Sequence, residues 1–514
     1  MVSDDILART RPSRPRATPL VDLAGWLARH ADGFRDPGTL DGEVTGISLS
    51  SQRIRPGDVY AALPGSRAHG IRFAADAVAA GAAAVLTDEA GAAEDPGVPL
   101  LVIDRPRAVL GRLAGWLYGD PAASLRLVGV TGTQGKTTTT RLAEGGLQAA
   151  GEHVAVIGTV GTRVDGEDVR TSLTTPEAPD LHGLFAMMRE RGVTGCAMEV
   201  SSHALVMGRV DGVLFDVAVF TNLGRDHLDF HRDLDDYFAA KATLFTPARA
   251  RRGLVNVDDE HGRLLLELAT IPVRTYSSEG ADADWRATDV ELAATGSRFT
   301  VRGPGGLVLE ASVPLPGDFN VSNALAAIAS SAEAGWDAAA VAAGIAAGGG
   351  VPGRLERVEA GQDFAVVVDY AHKPDAVESA LRTLRPLTEG RLIVVIGAGG
   401  DRDPGKRPLM GEIAGRLSDV LVVTDDNPRS EDAASIRAAI LAGTEGTAAE
   451  VLEVGDRRLA IREAVGRAGT GDVVLVAGKG HESGQEVGDV VHPFDDREVV
   501  REELGARAEE EDLP

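Results

Sequence analysis

Residues 128–140 read VGVTGTQGKTTTT, and the fold is decided there. An apolar run, 125–130, ends in a glycine-rich turn, and a stretch able to open a helix begins at Lys136. Strand, glycine loop and helix in that order gather backbone N–H groups and a positive helix end around one point, which is how a fold cradles phosphate. The standard loop carries two glycines five positions apart. Counting back five from Gly135 gives Val130, so the match is the shorter Gly132-x-x-Gly135-Lys136-Thr137. Gly132, Thr133, Gln134, Gly135, Lys136, Thr137 and Thr138 are the candidate phosphate contacts. Lys136 offsets phosphate charge, and Thr137 offers a hydroxyl to Mg²⁺.

On either side of this loop the chain alternates apolar strands with helical spacing. Strand-like runs at 153–158, 196–200, 217–220 and 253–257 follow it, which is βαβ order and a mostly parallel sheet covered on both faces. Further along, 364–368, 392–396, 420–424 and 473–477 are continuous apolar runs, as strands buried on both faces require. Each is followed by charged and glycine residues: Asp369-Tyr-Ala-His, Gly397-Ala-Gly-Gly-Asp-Arg, Asp425-Asp-Asn-Pro-Arg and Gly478-Lys-Gly-His-Glu. Ligands of open α/β sheets bind outside the carboxyl ends of the strands, so these four loops mark a second site. GAGGDRD at 397–403 does not make a dinucleotide fingerprint, because the third glycine would fall on Arg402. An Arg there suits a carboxylate clamp.

Before the loop, short β signals stand at 45–49, 59–63, 83–86 and 100–103, and the Pro-containing stretch 119–124 reads as a hinge. The expected organisation is α/β in three domains, 1–122, 123–350 and 351–514. The central domain has a P-loop-type, mostly parallel sheet, and the last is Rossmann-like. An Ala/Gly-rich stretch, 342–353, reads as a flexible connection. Residues 1–19, with four Arg among prolines and no apolar segment, read as a disordered tail rather than a signal peptide.

The 514 residues are too many for one core. A net charge of −25 argues against a broad nucleic-acid footprint, which needs a basic face. The one cysteine, Cys196, lies in an apolar run and reads as a buried small residue; a chain without disulfides fits the reducing cytoplasm. No stretch reads as a membrane span. Glu199, at the end of the strand beside the loop, is a natural Mg²⁺ ligand. TNLGRDHLDFH, 221–231, offers Asp226, His227, Asp229 and His231, as site or as ordinary polar loop.

The motifs TGTQGKTT, MEVSSHAL, TNLGRDHLD, YFAAKATLF, NVSNALAA, PGRLE, DYAHKP and AGKGHE occur in this order. Together they resemble the Mur ligase superfamily, over about residues 45 to 500. The resemblance implies an ATP-dependent, amide-forming ligase of peptidoglycan precursor synthesis, cytoplasmic and monomeric. Its substrates would be small molecules: ATP, UDP-N-acetylmuramoyl-L-alanyl-D-glutamate and meso-diaminopimelate. It implies that Lys241 is carbamylated and holds Mg²⁺ with Thr137, Glu199 and His227, and that Lys136, Glu199, His227 and Lys241 carry catalysis. Asn323, Arg354, Asp369 and His372 match positions around ATP.

The segment 48–70 resembles the uridine-binding part, with Ser51 and the turn Ser66, Arg67, Ala68 as contacts. Ser50 and Gln52 stand where the family often has Asp and Arg. Thr174, Thr175, Ser201 and Arg209 match contacts to the muramoyl dipeptide, and Met207 stands where some relatives have a glutamine. Asp426, Asn427, Pro428 and Arg429 match the signature of diaminopimelate-adding members, joined by Arg402, Gly478 and Glu482. A guanidinium can grip the far carboxylate that lysine lacks. A lysine-adding enzyme, a folylpolyglutamate synthase and an ATP-driven binding switch are the competing readings.

Overall fold

The computed structural model describes residues 10–511 except 36, 39, 66–67, 172 and 294–295. The chain forms two compact units. One comprises residues 1–286 and 325–344, the other 287–324 and 345–514. Both are α/β with mostly parallel sheets, as the runs of apolar residues require.

The first unit opens with a parallel sheet in the order Gly46–Ser48, Asp58–Ala61, Ala84–Thr87, Leu100–Val102. Leu23, Leu27, Val59, Leu86, Leu101 and Leu113 belong to its core. The expected disordered tail is corrected from Thr10 onward: Thr10 and Arg11 are buried. The Arg11 guanidinium meets Asp58 at 2.5 Å and donates to the Ile47 carbonyl, and Ser13 bonds Glu190. The chain is ordered because a buried carboxylate, Asp58, demands a cation. Breaking a buried pair from one side leaves an unpaired charge, so Arg11→Met should cost about 3–5 kcal/mol. Urea unfolding at pH 7 measures this, and a change below about 1 kcal/mol contradicts it.

Within the stretch 119–124, expected as a hinge, Pro121–Ser124 is a 3₁₀ turn with Pro121 and Ala122 buried and the next two residues exposed.

The central sheet follows in the order Val154–Gly158, Gly195–Glu199, Arg126–Thr131, Phe215–Phe220, Ala250–Asn256, Val273–Ser277, all parallel. An antiparallel hairpin, Gly161–Val164 and Glu167–Val169, closes one edge. The order reverses around Arg126–Thr131, so the topological switch point lies at the end of the strand that feeds the glycine loop. Helix Lys136–Ala149 packs against Val154–Gly158 and Gly195–Glu199.

The second unit carries a sheet in the order Glu356–Arg357, Ala365–Asp369, Val473–Ala477, Leu392–Ile396, Val420–Val423, Glu450–Glu453. All pairs are parallel except the first. Leu392–Ile396, Val420–Val423 and Val473–Ala477 are buried throughout. Helices cover both faces, one side built on Leu381, Met410 and Ile440, the other on Ile461, Val465 and Val500. The flexible connection expected over 342–353 is corrected to a shorter stretch, since Ala338–Ala347 is a helix with Val341, Ala342 and Ile345 buried. Alanine is the best helix former, and an Ala-rich run with a buried face folds rather than swings.

Candidate functional site

In the first unit, the glycine loop turns out of its strand with Gly132 at φ 149° and Gly135 at φ 83°. A Cβ on Gly132 would lie 1.9 Å from Thr221 Oγ1. That hydroxyl is fixed, because it donates to the Gln134 carbonyl at 2.6 Å. Gly132→Ala should therefore displace the loop and weaken binding of an ATP analogue by at least about tenfold, on the scale of 1–3 kcal/mol for a forced shift. Calorimetric titration reads this, and unchanged affinity contradicts it.

The Lys136 ammonium donates to the carbonyls of Gly132 and Thr133, both at 2.9 Å. Lys241, on helix Leu234–Ala242, reaches the same Gly132 carbonyl at 2.7 Å. Its amino group lies 4.3 Å from the centroid of the Tyr237 ring, and the residue is 1% exposed. Burial first, then the nearby Lys136 charge, pushes its pKa well below the ordinary lysine value, only partly offset by Asp226. That setting favours the uncharged amine, the form that adds CO₂.

Glu199 closes the loop from the neighbouring strand. Its Oε1 accepts from Thr137 Oγ1 and from the Thr159 backbone N–H, both at 2.8 Å, and Oε2 accepts from Thr159 Oγ1 at 3.1 Å. Among the described residues no group of three His, Cys, Asp or Glu side chains is arranged to hold a metal ion. The donors present fit Mg²⁺ by another route. Carboxylate and hydroxyl oxygens are the hard ligands it takes, and a carbamate on Lys241 would supply more.

His227 sits at φ 55° with its ring edge-on to His203, centroids 4.8 Å apart, and 6.0 Å from Tyr237. Lys241 and His227 thus share Tyr237 as a neighbour. His231, left open between site and loop by its sequence, is buried. One ring nitrogen is 2.9 Å from Ser202 Oγ and the other 3.2 Å from Asp236. It ties the helix bearing Lys241 to the turn after Glu199. Cys196 is buried, and burial pushes its thiol pKa up.

Beside this centre the structure brings together Thr174, Thr175, Ser201 and Arg209. Thr175 Oγ1 donates to the Glu199 carbonyl, Ser201 N–H donates to Thr175 Oγ1, and Thr174 Oγ1 meets Thr159 Oγ1 at 3.1 Å. Arg209 pairs with Glu177 at 2.9 Å and donates to the Thr175 carbonyl. The Met207 carbonyl accepts from Arg107, also paired with Glu177. Ser51 opens a 3₁₀ turn anchored by Arg53 on Asp180 at 2.9 Å. Ala68 follows Ser66 and Arg67, which lie outside the described residues.

In the second unit, Asp426, Asn427, Pro428 and Arg429 leave the strand Val420–Val423 and meet the loop after Val473–Ala477. Gly478 has φ 119°, and a Cβ there would lie 2.5 Å from Asp426 Oδ2, so only glycine lets these two strand ends close up. Asn427 Nδ2 donates to Glu482 at 2.8 Å. Arg429, at φ 53°, pairs through Nε with Glu486 at 2.6 Å and donates from NH1 to the Gly400 carbonyl. Arg402 is exposed and donates to the Asp401 carbonyl.

Asp369 accepts from the N–H groups of Leu355 and Ala371, and its pKa is raised by burial, against the opposing pull of Arg354. Arg354 lies over the Tyr370 ring, and His372 bonds the Tyr370 carbonyl. Asn323 Nδ2 donates to Asn320 Oδ1.

Sequence reasoning missed Thr159, Lys479, Glu486 and the buried pair Arg457–Asp496. Arg457 donates to the Ala477 carbonyl behind Gly478. Local spacing marks none of Thr159, Glu486, Arg457 and Asp496, and Lys479 sits inside AGKGHE with no role assigned, since each acts across strands brought together only by the fold.

A strand, a glycine loop holding a lysine, and a carboxylate from the adjacent strand define a phosphate-loop α/β protein. Family models agree along the chain: "Mur ligase family, catalytic domain" matches residues 43–116, "Mur ligase middle domain" 130–331, and "Mur ligase, glutamate ligase domain" 353–480. A UDP-N-acetylmuramoyl-L-alanyl-D-glutamate–2,6-diaminopimelate ligase of Streptomyces coelicolor is 56% identical over 502 residues, covering 96% of this chain and 98% of that one. The enzyme of the same name from Corynebacterium glutamicum is 50% identical, covering 95% and 96%. A solved structure bearing that name superposes with a TM-score of 0.68 at 34% identity, covering 92% of this chain and 97% of that one. The chain belongs to the Mur ligase family.

Proposed function

We propose that this chain is an ATP-dependent ligase that adds meso-2,6-diaminopimelate to UDP-N-acetylmuramoyl-L-alanyl-D-glutamate in peptidoglycan precursor synthesis. The observation that carries the specificity is the cluster of Asp426, Asn427, Arg429, Gly478 and Glu482 at the carboxyl edge of one sheet. Full-length relatives bearing that activity in their names support the reading.

The reaction joins two anions before it makes an amide. The γ-carboxylate of D-glutamate attacks the γ-phosphorus of ATP, giving an acyl phosphate and ADP. The free amine of diaminopimelate then attacks the carbonyl carbon, and phosphate leaves. The backbone of residues 132–138 and the Lys136 ammonium offset the negative charge of the transferred group. Thr137, Glu199, His227 and a carbamylated Lys241 would hold Mg²⁺, which would add charge neutralisation to this positioning. Asn323, Arg354, Asp369 and His372 take the rest of ATP. Thr174, Thr175, Ser201 and Arg209 orient the dipeptide, Ser51, Ser66, Arg67 and Ala68 contact the uridine end, and Arg429 with Arg402 grips the far carboxylate of diaminopimelate.

The domains are assigned as 1–122 for the nucleotide-sugar, 123–350 for ATP and 351–514 for the amino acid. The enzyme acts in the cytoplasm as a monomer. No described helix is long and apolar enough to cross a membrane.

The test is phosphate release from Mg-ATP and the UDP-muramoyl dipeptide with either diaminopimelate or lysine. Release with diaminopimelate only is expected. Release with lysine alone overturns the specificity, and no release with either overturns the ligase.

A further inference from the structure

Lys479 follows Gly478 in the loop after Val473–Ala477, and its side chain is 0% exposed. Its Nζ donates to Asn427 Oδ1 at 2.9 Å and meets Glu482 Oε2 at 3.3 Å. The same Oε2 accepts from Asn427 Nδ2 at 2.8 Å, and Asn427 Oδ1 also accepts from the Glu486 N–H at 3.0 Å. The three side chains form a closed ring of contacts, in which Lys479, together with the Glu486 N–H, fixes which way the Asn427 amide faces. An amide could otherwise turn over, presenting its oxygen to the Glu482 carboxylate. A fully buried cation persists only where a partner compensates it, and Glu482 is that partner.

We infer that Lys479 is a specificity-determining residue: its buried ammonium already occupies Glu482, so the pocket accepts an amino acid whose far end brings its own carboxylate and resists one that brings only a second ammonium. This rests on the function proposed above. The far end of diaminopimelate carries an ammonium and a carboxylate, net zero. Lysine ends in an ammonium alone. With diaminopimelate bound, Glu482 and the arriving carboxylate face Lys479 and the arriving ammonium, two charges of each sign. With lysine bound, a second ammonium arrives beside Lys479 at Glu482 with no carboxylate of its own to offset it, and like charges at close range repel. Arg429 then acts on the same side of the balance, drawing the carboxylate in while Lys479 rejects its absence. Lys479 is thus a positioning residue for Asn427 and an electrostatic filter at Glu482.

Lys479→Gln keeps a hydrogen-bond donor toward Asn427 and Glu482 but removes the charge, and Lys479→Met removes both. The readout is the ratio of kcat/KM for diaminopimelate to that for lysine, with KM for ATP and for the dipeptide as controls. In both variants the ratio should fall at least about tenfold, a change of about 1.4 kcal/mol. It should do so through a raised KM for diaminopimelate and a lowered KM for lysine, with KM for ATP and dipeptide within about twofold of wild type. Where melting shows a single variant unfolded, the ratio is read on Lys479→Met/Glu482→Gln against Glu482→Gln alone; a further fall in the double variant supports the inference. An unchanged ratio overturns it, as does an equal loss with both amino acids, which marks a purely structural lysine. Failure of the proposed function is separable, because wild-type enzyme would then release no phosphate with diaminopimelate.

Discussion

Lys241→Ala should lower turnover by about 100-fold or more, the scale on which one preorganised electrostatic group acts in an active site. The amine is buried, lies over Tyr237 and donates to the Gly132 carbonyl. An uncharged amine has two N–H groups and one lone pair. One N–H is fixed by Gly132, which leaves the lone pair to take up CO₂. Wild-type enzyme depleted of CO₂ should lose activity and regain it on adding bicarbonate, and the Ala variant should not respond. Activity of that variant within about fivefold of wild type would contradict the assignment.

The same lysine predicts a slope of stability against pH. Its folded pKa lies well below the ordinary 10.5, because burial and Lys136 disfavour the charge. Between the folded pKa and 10.5 the unfolded chain binds a proton that the folded chain does not, so stability rises with pH through that window. Lys241→Met should lose this part of the slope. Urea unfolding of both proteins in CO₂-depleted buffer, where Lys241 is the free amine, at pH 7.5 and 9.5 checks the sign, and identical slopes contradict it.

The strands and the phosphate loop were legible in the sequence because both rest on short-range chemistry. Apolar runs such as 392–396 become strands buried on both faces. The order of strand, glycine and lysine places the loop at a helix start. Two readings failed where tertiary packing overrides local composition. Arg11 looked like part of a solvated tail, yet Asp58 is buried and needs a cation. The Ala-rich stretch near 342 looked like a linker, yet its helical face is buried.

The candidate site divides the same way. Lys136 and Glu199 could be placed from spacing and strand order. Lys241 reads locally as a solvated helix residue, and only the family motif singled it out; its burial depends on the loop from a strand more than 100 residues earlier. Lys479 lies within the AGKGHE motif, flanked by glycines, and nothing in that loop by itself shows it buried. Its burial comes from Gly478 packing on Asp426, a closure invisible from one loop alone.

Arg429→Ala should cut kcat/KM for diaminopimelate by about 100-fold or more, while changing that for lysine by less than about tenfold. The residue adopts a left-handed backbone conformation, which costs a non-glycine residue about 1–2 kcal/mol and is tolerated mainly where function needs it. Glu486 holds Nε and the Gly400 carbonyl holds NH1, so the plane of the guanidinium is set before any ligand arrives. A carboxylate meeting that plane makes charge-assisted hydrogen bonds of about 1.5–3 kcal/mol each. Losing two of them is a loss of about 3–6 kcal/mol, and partial replacement by water brings it to the lower end of that range. The cost falls on diaminopimelate alone because lysine has no carboxylate there. Arg429→Lys should not restore the activity, since an ammonium is a point charge without the planar fork. Phosphate release with each amino acid measures both variants. An equal fall for diaminopimelate and lysine would mean that Arg429 shapes the loop and does not read the substrate, and full activity of Arg429→Lys would mean that charge alone suffices.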